Sequence, residues 1–338
     1  MSTGGLSVDF LYRKAFESQF SIESCFARVQ EDLSRLGLDN QRVVAPAYST
    51  GFLNRLRILL HAARLSRTRD RILHITGDIY YAAILARAPV SLTIHDLEFI
   101  NRERGWRRFL LKTIWINAPC ARADAITVVS EETKRLLLQT CPKLCPQKVH
   151  VIPNSVSDSF KPFPKPAPKE TLRILQVGTK PNKNIPLLLQ ALNGLNCELT
   201  IVGPVSEKLR RCVAESDIPT VFKESLSETE MLEVYQDCDL LAFVSLEEGF
   251  GMPIVEAQRT LRPVLTSNCS SMPEVAGEGA CLVDPRDPAS IRAGIERVWK
   301  DETYRESLIA KGAANAERFS RGQIADKYLR LFQGLGSQ

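Results

Sequence analysis

The sequence predicts an α/β protein built from two parallel-sheet halves, and three observations carry that prediction. Short apolar runs of strand length alternate with segments of helical period along most of the chain. The strand candidates are rich in Val, Ile and Leu with little polar alternation, as in sheets covered on both faces. A proline-rich stretch without periodicity, Phe160 to Lys169, divides the series in two, and 338 residues suit two cores better than one.

In the first half, Val8–Tyr12 reads as the first strand, followed by a helix from Ser24 to Leu36 with Phe26, Val29, Leu33 and Leu36 on its apolar side. Ser21 or Ser24 is its candidate cap. Strands follow at 42–46, 71–76, 91–94, 125–130 and 148–153. Helices are expected at Phe52–Leu65, Ile79–Ala86 and Glu131–Gln139, the last capped by Ser130. The first of these helices carries Arg55, Arg57 and Arg64, with Arg67 and Arg69 beyond, either as a solvated face or as a surface for an acidic acceptor or the membrane interface. Arg102, Arg104, Arg107 and Arg108 form a second cationic run, by default solvated, and Trp106 and Trp115 read as packing residues. His74 sits inside a strand and reads as a core histidine. His95 and Asp96, Thr76 to Asp78, and Asn154 all fall at carboxyl ends of strands, where open parallel sheets bind their ligands.

The second half repeats the scheme. Strands are expected at 173–178, 198–203, 220–223, 239–244, 263–266 and 281–285. Helices are expected at Ile185–Leu192, Leu209–Ala214, Met231–Gln236, Pro288–Lys300, Glu302–Phe319 and Gly322–Leu335. Ser227-Glu-Thr-Glu230 is a capping-box pattern, and Ser267 to Ser271 reads as a polar loop.

The most informative stretch is Val244 to Glu256. It follows a strand, turns through Gly249 and Gly251, and enters a helix at Pro253, a residue suited to a first helical turn. Such a corner leaves backbone N–H groups pointing outward and favours an anion. Two carboxylates, Glu248 and Glu256, bracket it, and a ligand carrying both phosphate and hydroxyls accounts for them. The alternative is that Glu256 merely complements the helix dipole while Glu248 is solvated.

Composition narrows the classes. With 44% hydrophobic and 25% charged residues the chain is that of a globular protein, and a net charge of +5 does not indicate nucleic acid. No apolar run is long enough to span a bilayer, and the start lacks the pattern of a signal peptide. Nine cysteines without a CxxC pair point to reduced thiols and a cytoplasmic location, with no metal site. Neither half shows GxGxxG after its first strand or the GxxxxGK[ST] of a P-loop, against a dehydrogenase, kinase or ATPase.

Glu248-Gly-Phe-Gly-Met-Pro-Ile-Val-Glu256-Ala resembles the E-x7-E motif of the retaining family-4 (group 1) glycosyltransferases. Leu92-Thr-Ile-His-Asp96, Thr127-Val-Val-Ser-Glu-Glu-Thr-Lys, Val151-Ile-Pro-Asn-Ser-Val, Leu175-Gln-Val-Gly-Thr-Lys-Pro-Asn-Lys-Asn184 and Phe319-Ser320 resemble further segments of that family, in its order. The resemblance implies the GT-B fold: two Rossmann-like domains with parallel sheets facing across a cleft that closes for function. The expected division is an acceptor-binding domain at 1–160, a linker at 161–170, a nucleotide-sugar domain at 171–319, and a helix at 320–338 crossing back to the first domain.

The same resemblance assigns residues. His95, Glu248 and Lys183 are the expected catalytic set: His95 near the anomeric centre, Glu248 on the sugar hydroxyls, Lys183 on the diphosphate. Gly178, Lys180, Phe250, Gly251, Met252 and Glu256 are the expected donor-binding residues, with Glu256 on the ribose and N–H groups of 250–252 on sugar and diphosphate. Ser21 and Asp78 are expected on the acceptor side, Asp78 also being a candidate helix cap. Two departures stand out. Thr179 occupies the place where many members carry arginine, leaving Lys180 as the nearest cation, and a lysine lacks the bidentate fork. The glycine-rich loop after the first strand is missing; Gly4 and Gly5 precede the strand, and Ser21 is its candidate substitute.

The activity expected is retaining transfer of a sugar, mannose among the candidates, from a nucleoside-diphosphate sugar to a glycan or lipid-linked acceptor hydroxyl. Polysaccharide or lipopolysaccharide assembly is the expected setting, without metal or other cofactor, without nucleic acid, and with peripheral contact at the inner face of the membrane. Other GT-B enzymes such as sugar-phosphate synthases, and a non-catalytic nucleotide-sugar-binding protein, are the alternatives.

Overall fold

The computed structural model describes residues 6–14, 21–68, 70–97, 105–166 and 170–337, with Ser21 described in its backbone alone. Gly4, Gly5, Phe20, Arg69, Arg102, Arg104 and Lys169 lie outside the described residues, as does the Ser21 side chain. The chain divides into two units, Met1–Ser155 with Arg321–Gln338, and Val156–Ser320.

The first unit holds a six-stranded parallel sheet in the order β2-β1-β3-β4-β5-β6. Its strands are β1 (Ser7–Tyr12), β2 (Asp39–Val44), β3 (Ile72–Ile75), β4 (Val90–Ile94), β5 (Ala125–Val128) and β6 (Val149–Val151). Successive side chains of β1 serve opposite faces, as the two-residue strand period requires. Val8, Phe10 and Tyr12 pack with Phe26, Val29 and Leu33 of α1 (Ser21–Arg35), and with Ile324, Tyr328 and Phe332 of the terminal helix. Leu11 packs on the other face with Ile58 and Ala62 of α2 (Phe52–Leu65). Phe332 is fully buried, with its ring 5.8 Å from that of Phe10; cutting it to Ala would cost about 3–5 kcal/mol.

Within the aromatic face lies His74, whose Nδ1 is 2.7 Å from the Ser91 hydroxyl and Nε2 3.2 Å from that of Thr93. Burial lowers its pKa to about 3, so it is a neutral, hydrogen-bonded core residue.

Several expectations are corrected here. The 79–86 helix is a 3₁₀ turn, Tyr80–Leu85, confined between the left-handed Asp78 (φ 55) and Pro89. Its i→i+3 bonding includes Ala82 N–H to Ile79 O, 2.9 Å. Helix α1 begins at Ser21, so Ser24 is inside it rather than capping it, and Leu36 is exposed beyond its last turn. After α3 (Gly105–Leu111) the chain widens into a π-helical stretch, Lys112–Asn117, before α4 (Ala118–Arg122). Pro119 has no N–H to offer the carbonyl four residues back, which accounts for the widening. Trp115 packs against Tyr81, their centroids 5.0 Å apart, whereas Trp106 is exposed, on a helix with no buried residue. Ser130 caps α5 (Glu131–Thr140) by accepting from the Thr133 N–H.

The second unit holds its own six-stranded parallel sheet, ordered β12-β11-β10-β7-β8-β9. The strands are β7 (Leu172–Val177), β8 (Cys197–Val202), β9 (Thr220–Lys223), β10 (Leu240–Phe243), β11 (Val264–Ser267) and β12 (Cys281–Val283). Between them run α6 (Ile185–Leu192), α7 (Glu207–Ala214), α8 (Glu228–Asp237), α9 (Met252–Arg259), α10 (Met272–Ala276), α11 (Pro288–Lys300) and α12 (Glu302–Ala316). The Ser227 box is formed in full, with Ser227 and Glu230 exchanging bonds across the first turn of α8. Helix α10, directly after the polar loop, was not expected, and α12 ends at Ala316 in a 3₁₀ turn, Glu317–Phe319.

The expected linker also moves. The chain joins the second unit from Val156, ahead of the prolines, because that segment is pinned to it. Phe160 is buried with its ring edge on Tyr235, Lys165 pairs with Asp239 at 2.7 Å, and Arg262 donates to the Phe163 carbonyl. The terminal helix α13 (Arg321–Gly336) belongs to the first unit, where Arg321 forms a fork to Asp32, 2.7 and 2.8 Å.

Candidate functional site

In the second sheet the crossovers run from β7 out through β8 and β9, then resume on the other side of β7 with β10. The carboxyl ends of β7 and β10 therefore flank the topological switch point, where open parallel sheets form a ligand crevice. The loops leaving these two strands carry the sequence-predicted donor residues.

These loops are tied together through backbone and amide groups. Leu246 N–H donates to Asn182 O at 2.8 Å, and the Asn182 amide donates to Glu247 O at 2.8 Å. Asn184, held left-handed at φ 58, donates to Val244 O and to Pro285 O, 3.2 and 2.6 Å. On this platform Lys183 Nζ lies 2.5 Å from Glu248 Oε1 and 4.4 Å from the centroid of the Phe243 ring. Both members of the ion pair are only 14% exposed. Gly178 is required for the approach: it adopts φ 90, and a Cβ there would sit 2.5 Å from Lys183 Cε. Lys180, one turn away, is exposed and makes no ion pair among the described residues.

The corner between β10 and α9 is equally constrained. Glu248 N–H donates to Ser270 Oγ at 3.1 Å, and the Ser270 and Ser271 hydroxyls donate back to Glu248 O at 2.9 and 3.0 Å. Ser271 also donates to Phe250 O at 2.8 Å, while the buried Phe250 ring packs on Phe319. The Phe250 side chain is thus an anchor, buried away from solvent. Gly251 (φ 107) precedes α9, which starts at Met252 with Pro253 in its first turn and no side-chain cap. A helix start of this kind presents N–H groups to an anion. One turn on, Glu256 Oε2 accepts from the Tyr235 hydroxyl at 2.7 Å. Burial, and then the Glu256 charge, push the Tyr235 pKa well above its ordinary value, so the hydroxyl stays a donor.

Three buried polar atoms at this end of the sheet have no partner among the described residues: Gln176 Oε1, Asn182 Oδ1 and Ser245 Oγ. Unpaired buried polar atoms are costly, and a cluster of them beside an ion pair is what a ligand or ordered water would satisfy. Sequence reasoning missed Gln176, Asn182, Tyr235, Ser245, Ser270 and Ser271. Gln176, Asn182 and Ser245 lie within the stretches the sequence singled out, and Ser270 and Ser271 in the polar loop after β11, whereas Tyr235 gave no signal.

The first sheet has its own switch point, between β1 and β3. Arg13, just after β1, donates to Glu23 Oε1 at 2.7 Å and forms an ion pair with Asp78. Asp78 therefore serves as a partner of Arg13, and both Arg13 and Glu23 are buried. Beside them His95 Nε2–H donates to Thr76 O at 2.8 Å, which leaves Nδ1 as the acceptor of the neutral ring. Burial lowers the His95 pKa, keeping it neutral near pH 7. A Cβ on Gly77 would come within 3.0 Å of the imidazole Cδ2, so glycine lets the ring lie against the backbone. Sequence reasoning named His95 and Asp78 but missed Arg13 and Glu23.

Comparison with known proteins adds the family. A family model described as "Glycosyl transferases group 1" matches residues 157–315, and one described as "Glycosyltransferase Family 4" matches residues 25–160. The serotype-specific mannosyltransferase WbdA of Escherichia coli is 29% identical over 274 residues, 71% of this chain and 33% of that protein. The O-antigen chain mannosyltransferase B of Escherichia coli is 32% identical over 158 residues, 43% of this chain and 42% of that protein. The chain thus spans about a third of the length of the first relative and under half of the second. The crystal structure of Anabaena Alr3699/HepE in complex with UDP and glucose matches with a TM-score of 0.76 at 14% identity, covering 96% of this chain and 99% of that one. That likeness establishes the GT-B fold. With both units matched by family models that meet where the units divide, the chain belongs to the group 1, family 4 glycosyltransferases.

Proposed function

We propose that the chain transfers a hexose, with mannose the first candidate, from a nucleoside-diphosphate sugar to an acceptor hydroxyl with retention at the anomeric carbon. The observation that carries the reading is the Lys183–Glu248 pair at the switch point of the second unit, with Glu256 fixed by Tyr235 one helix turn away. Mannose is favoured by the two relatives described above, both named as mannosyltransferases.

In this reading Lys183 turns from Glu248 toward the diphosphate, where negative charge grows as the glycosidic bond breaks. Glu248, released from the lysine, accepts from sugar hydroxyls. Glu256 accepts from the ribose hydroxyls, and the N–H groups at 250–252, with Gly178 and Lys180, meet the diphosphate and sugar. The acceptor oxygen bonds to the anomeric carbon on the face the leaving group departs from, and its proton passes to the leaving phosphate oxygen. Neither glutamate acts as a nucleophile, unlike the close carboxylate pair of retaining hydrolases. His95, with its fixed tautomer, is assigned a contact to the transferred sugar, and Ser21 and Asp78 remain candidates for the acceptor side. The acceptor is a glycan or a lipid-linked glycan in polysaccharide or lipopolysaccharide assembly, reached from the cytoplasmic face of a membrane. Lys183, Lys180 and the α9 terminus supply the positive charge that a metal would otherwise bring to the diphosphate. Among the described residues, no helix is long and apolar enough to cross a membrane.

Incubating the protein with a panel of nucleotide sugars and glycan acceptors tests the reading. Transfer that persists in chelator supports it; transfer abolished by chelator and restored by Mn²⁺ contradicts its metal-free form. Turnover with inorganic phosphate or a sugar phosphate, and none with any nucleotide sugar, would replace it by a different GT-B reaction.

A further inference from the structure

A cavity of about 860 Å³ lies in the first unit along the last strand of its sheet. Strand β6 ends the order β2-β1-β3-β4-β5-β6, so β3, β4 and β5 stand between it and β1. Val149 is buried and Val151 half-buried against the cluster that holds Leu137, on one face of the sheet. The two-residue strand period turns His150 to the opposite face, where α13 packs over Ala125 and Ile152. The cavity is what remains between the flank of α13, β6 and the start of β5. A Cβ on Gly336 would sit 2.6 Å from Leu6 Cδ1, so α13 ends just ahead of β1, at the amino ends of the strands. The cavity extends toward those ends, away from the carboxyl ends that carry His95.

Its lining is cationic. On α13, Lys327, Arg330, Leu331 and Gly334 fall at i, i+3, i+4 and i+7 and so share one helix face. Lys134 of α5, with Lys148 and His150 at β6, completes the charged part of the wall. The one carboxylate in the lining, Asp124, is already engaged: its Oδ2 accepts from Val90 N–H at 2.8 Å and lies 3.3 Å from Arg122 Nη1. Lys148 Nζ donates to Ala123 O at 2.9 Å, which fixes that ammonium beside the cavity. Among the described residues, Lys134 and Arg330 pair with no carboxylate. Burial, and then the Lys134 charge, lower the His150 pKa, as crowding by cations requires.

Charge and shape together select the occupant. Three lysines and an arginine around one engaged carboxylate repel one another until an anion enters. Two copies of this surface would meet as like charges, which argues against self-association. The volume is that of a small-molecule site, far more than a single inorganic ion fills. Leu331 and Val151, both half-buried, add apolar wall that such an ion would leave uncovered. Gly334 keeps the space open, since a Cβ there would meet nothing within 4 Å. Arg330 brings a planar fork and the lysines bring point charges, two devices that both suit phosphate groups.

We propose that this cavity binds an organic oligophosphate of mononucleotide size. Its phosphates lie among Lys134, Lys148 and Arg330, and its apolar part lies against Leu331 and Val151. The site shares no residue with the donor-binding set, so it stands or falls independently of the transferase reading.

Calorimetric titration of the full chain with adenosine triphosphate, without divalent metal, tests the proposal. ATP should bind, at least about tenfold more tightly than inorganic tripolyphosphate. Lys134→Gln/Arg330→Gln should weaken ATP binding by about tenfold or more. Gly334→Leu, which fills the cavity without removing a charge, should weaken it as much. Lys134 is half-buried, Arg330 and Gly334 are exposed, and leucine is the better helix former, so neither variant should lower the melting temperature. Lys183→Ala should bind ATP within about threefold of wild type, a difference of less than one decade. No ATP binding, or binding unchanged in either cavity variant, overturns the proposal. So does tripolyphosphate binding as tight as that of ATP, which would leave only a solvated cationic face. ATP binding lost in Lys183→Ala and kept in the cavity variants would also overturn it, by placing the probe in the donor crevice. Failure of GDP and UDP to bind, with ATP binding lost only in the cavity variants, would remove the transferase reading and leave this one standing.

Discussion

The two units carry the same device at the same place and use it differently. Each sheet reverses its crossovers once, and each switch point holds a buried or half-buried cation facing a carboxylate. In the first unit Arg13 is committed twice, to Glu23 and to Asp78, and all but closed off from solvent. In the second, Lys183 faces Glu248 through one flexible ammonium group, with unpartnered polar atoms close by. A guanidinium forked between two carboxylates is a fixed structural part, whereas a lone lysine can exchange partners when an anion arrives. The difference makes the first cluster a fixed structural part, and in the proposed reading the second is the one that binds.

The largest effect should come from the lysine. Lys183→Ala removes the charge that the proposed function sets against the leaving diphosphate, and on that reading transfer should fall by about 10²–10³-fold in steady-state assays. Its melting temperature should change far less than that of an Arg13 variant. Retained activity in Lys183→Ala would break the comparison on its second side.

Arg13→Ala should act on stability instead. It leaves the buried Glu23 carboxylate without its partner, at a cost of roughly 3–5 kcal/mol in denaturant unfolding. A cost below about 1 kcal/mol would mean that the cluster is not structural.

The first unit should also be the acid-sensitive one. His74 titrates near 6.5 when unfolded and at about 3 when buried, so between these values the unfolded chain binds the extra proton. Its contribution to stability is complete above pH 6.5 and declines as pH falls toward 3, at up to about 1.4 kcal/mol per pH unit. Melting followed from pH 7 to 5 should show this loss, and His74→Gln should flatten it. An equal slope in that variant would assign the acid sensitivity elsewhere.

Tyr235→Phe should give the smallest change. Without the hydroxyl, Glu256 loses one fixed donor, and nucleotide affinity should weaken by about tenfold or less, in line with one hydrogen bond to a charged group. No change in affinity would remove Tyr235 from the positioning of Glu256.

Much of the fold was legible because its signals are local. The strand and helix periods and the Ser227 box can be read from neighbouring residues, and Phe52–Leu65, Ile185–Leu192 and Pro288–Lys300 match the structure end to end. The Glu248–Glu256 corner was legible for the same reason, since strand, glycines and helix start lie within one stretch. What was hidden depends on distant partners. Tyr235 reaches Glu256 from another helix, and Asn182 ties together loops separated by 65 residues. Glu23, ahead of the expected helix start at Ser24, carried no local sign of a partner, and only the fold sets Arg13 beside it. Trp106 and Phe52 show the converse: an apolar spacing shows which residues share a face, and not whether anything covers it.

The central claim is that the nucleotide engages the second unit's switch point through Lys183, and calorimetric titration of GDP and UDP tests it directly. The account predicts that one of them binds the wild-type chain and binds Lys183→Ala at least about tenfold more weakly. Arg13→Ala, measured below its lowered melting temperature, should bind within about threefold of wild type, a difference of less than 1 kcal/mol. Wild-type affinity in Lys183→Ala, or an equal loss in both variants, would contradict it.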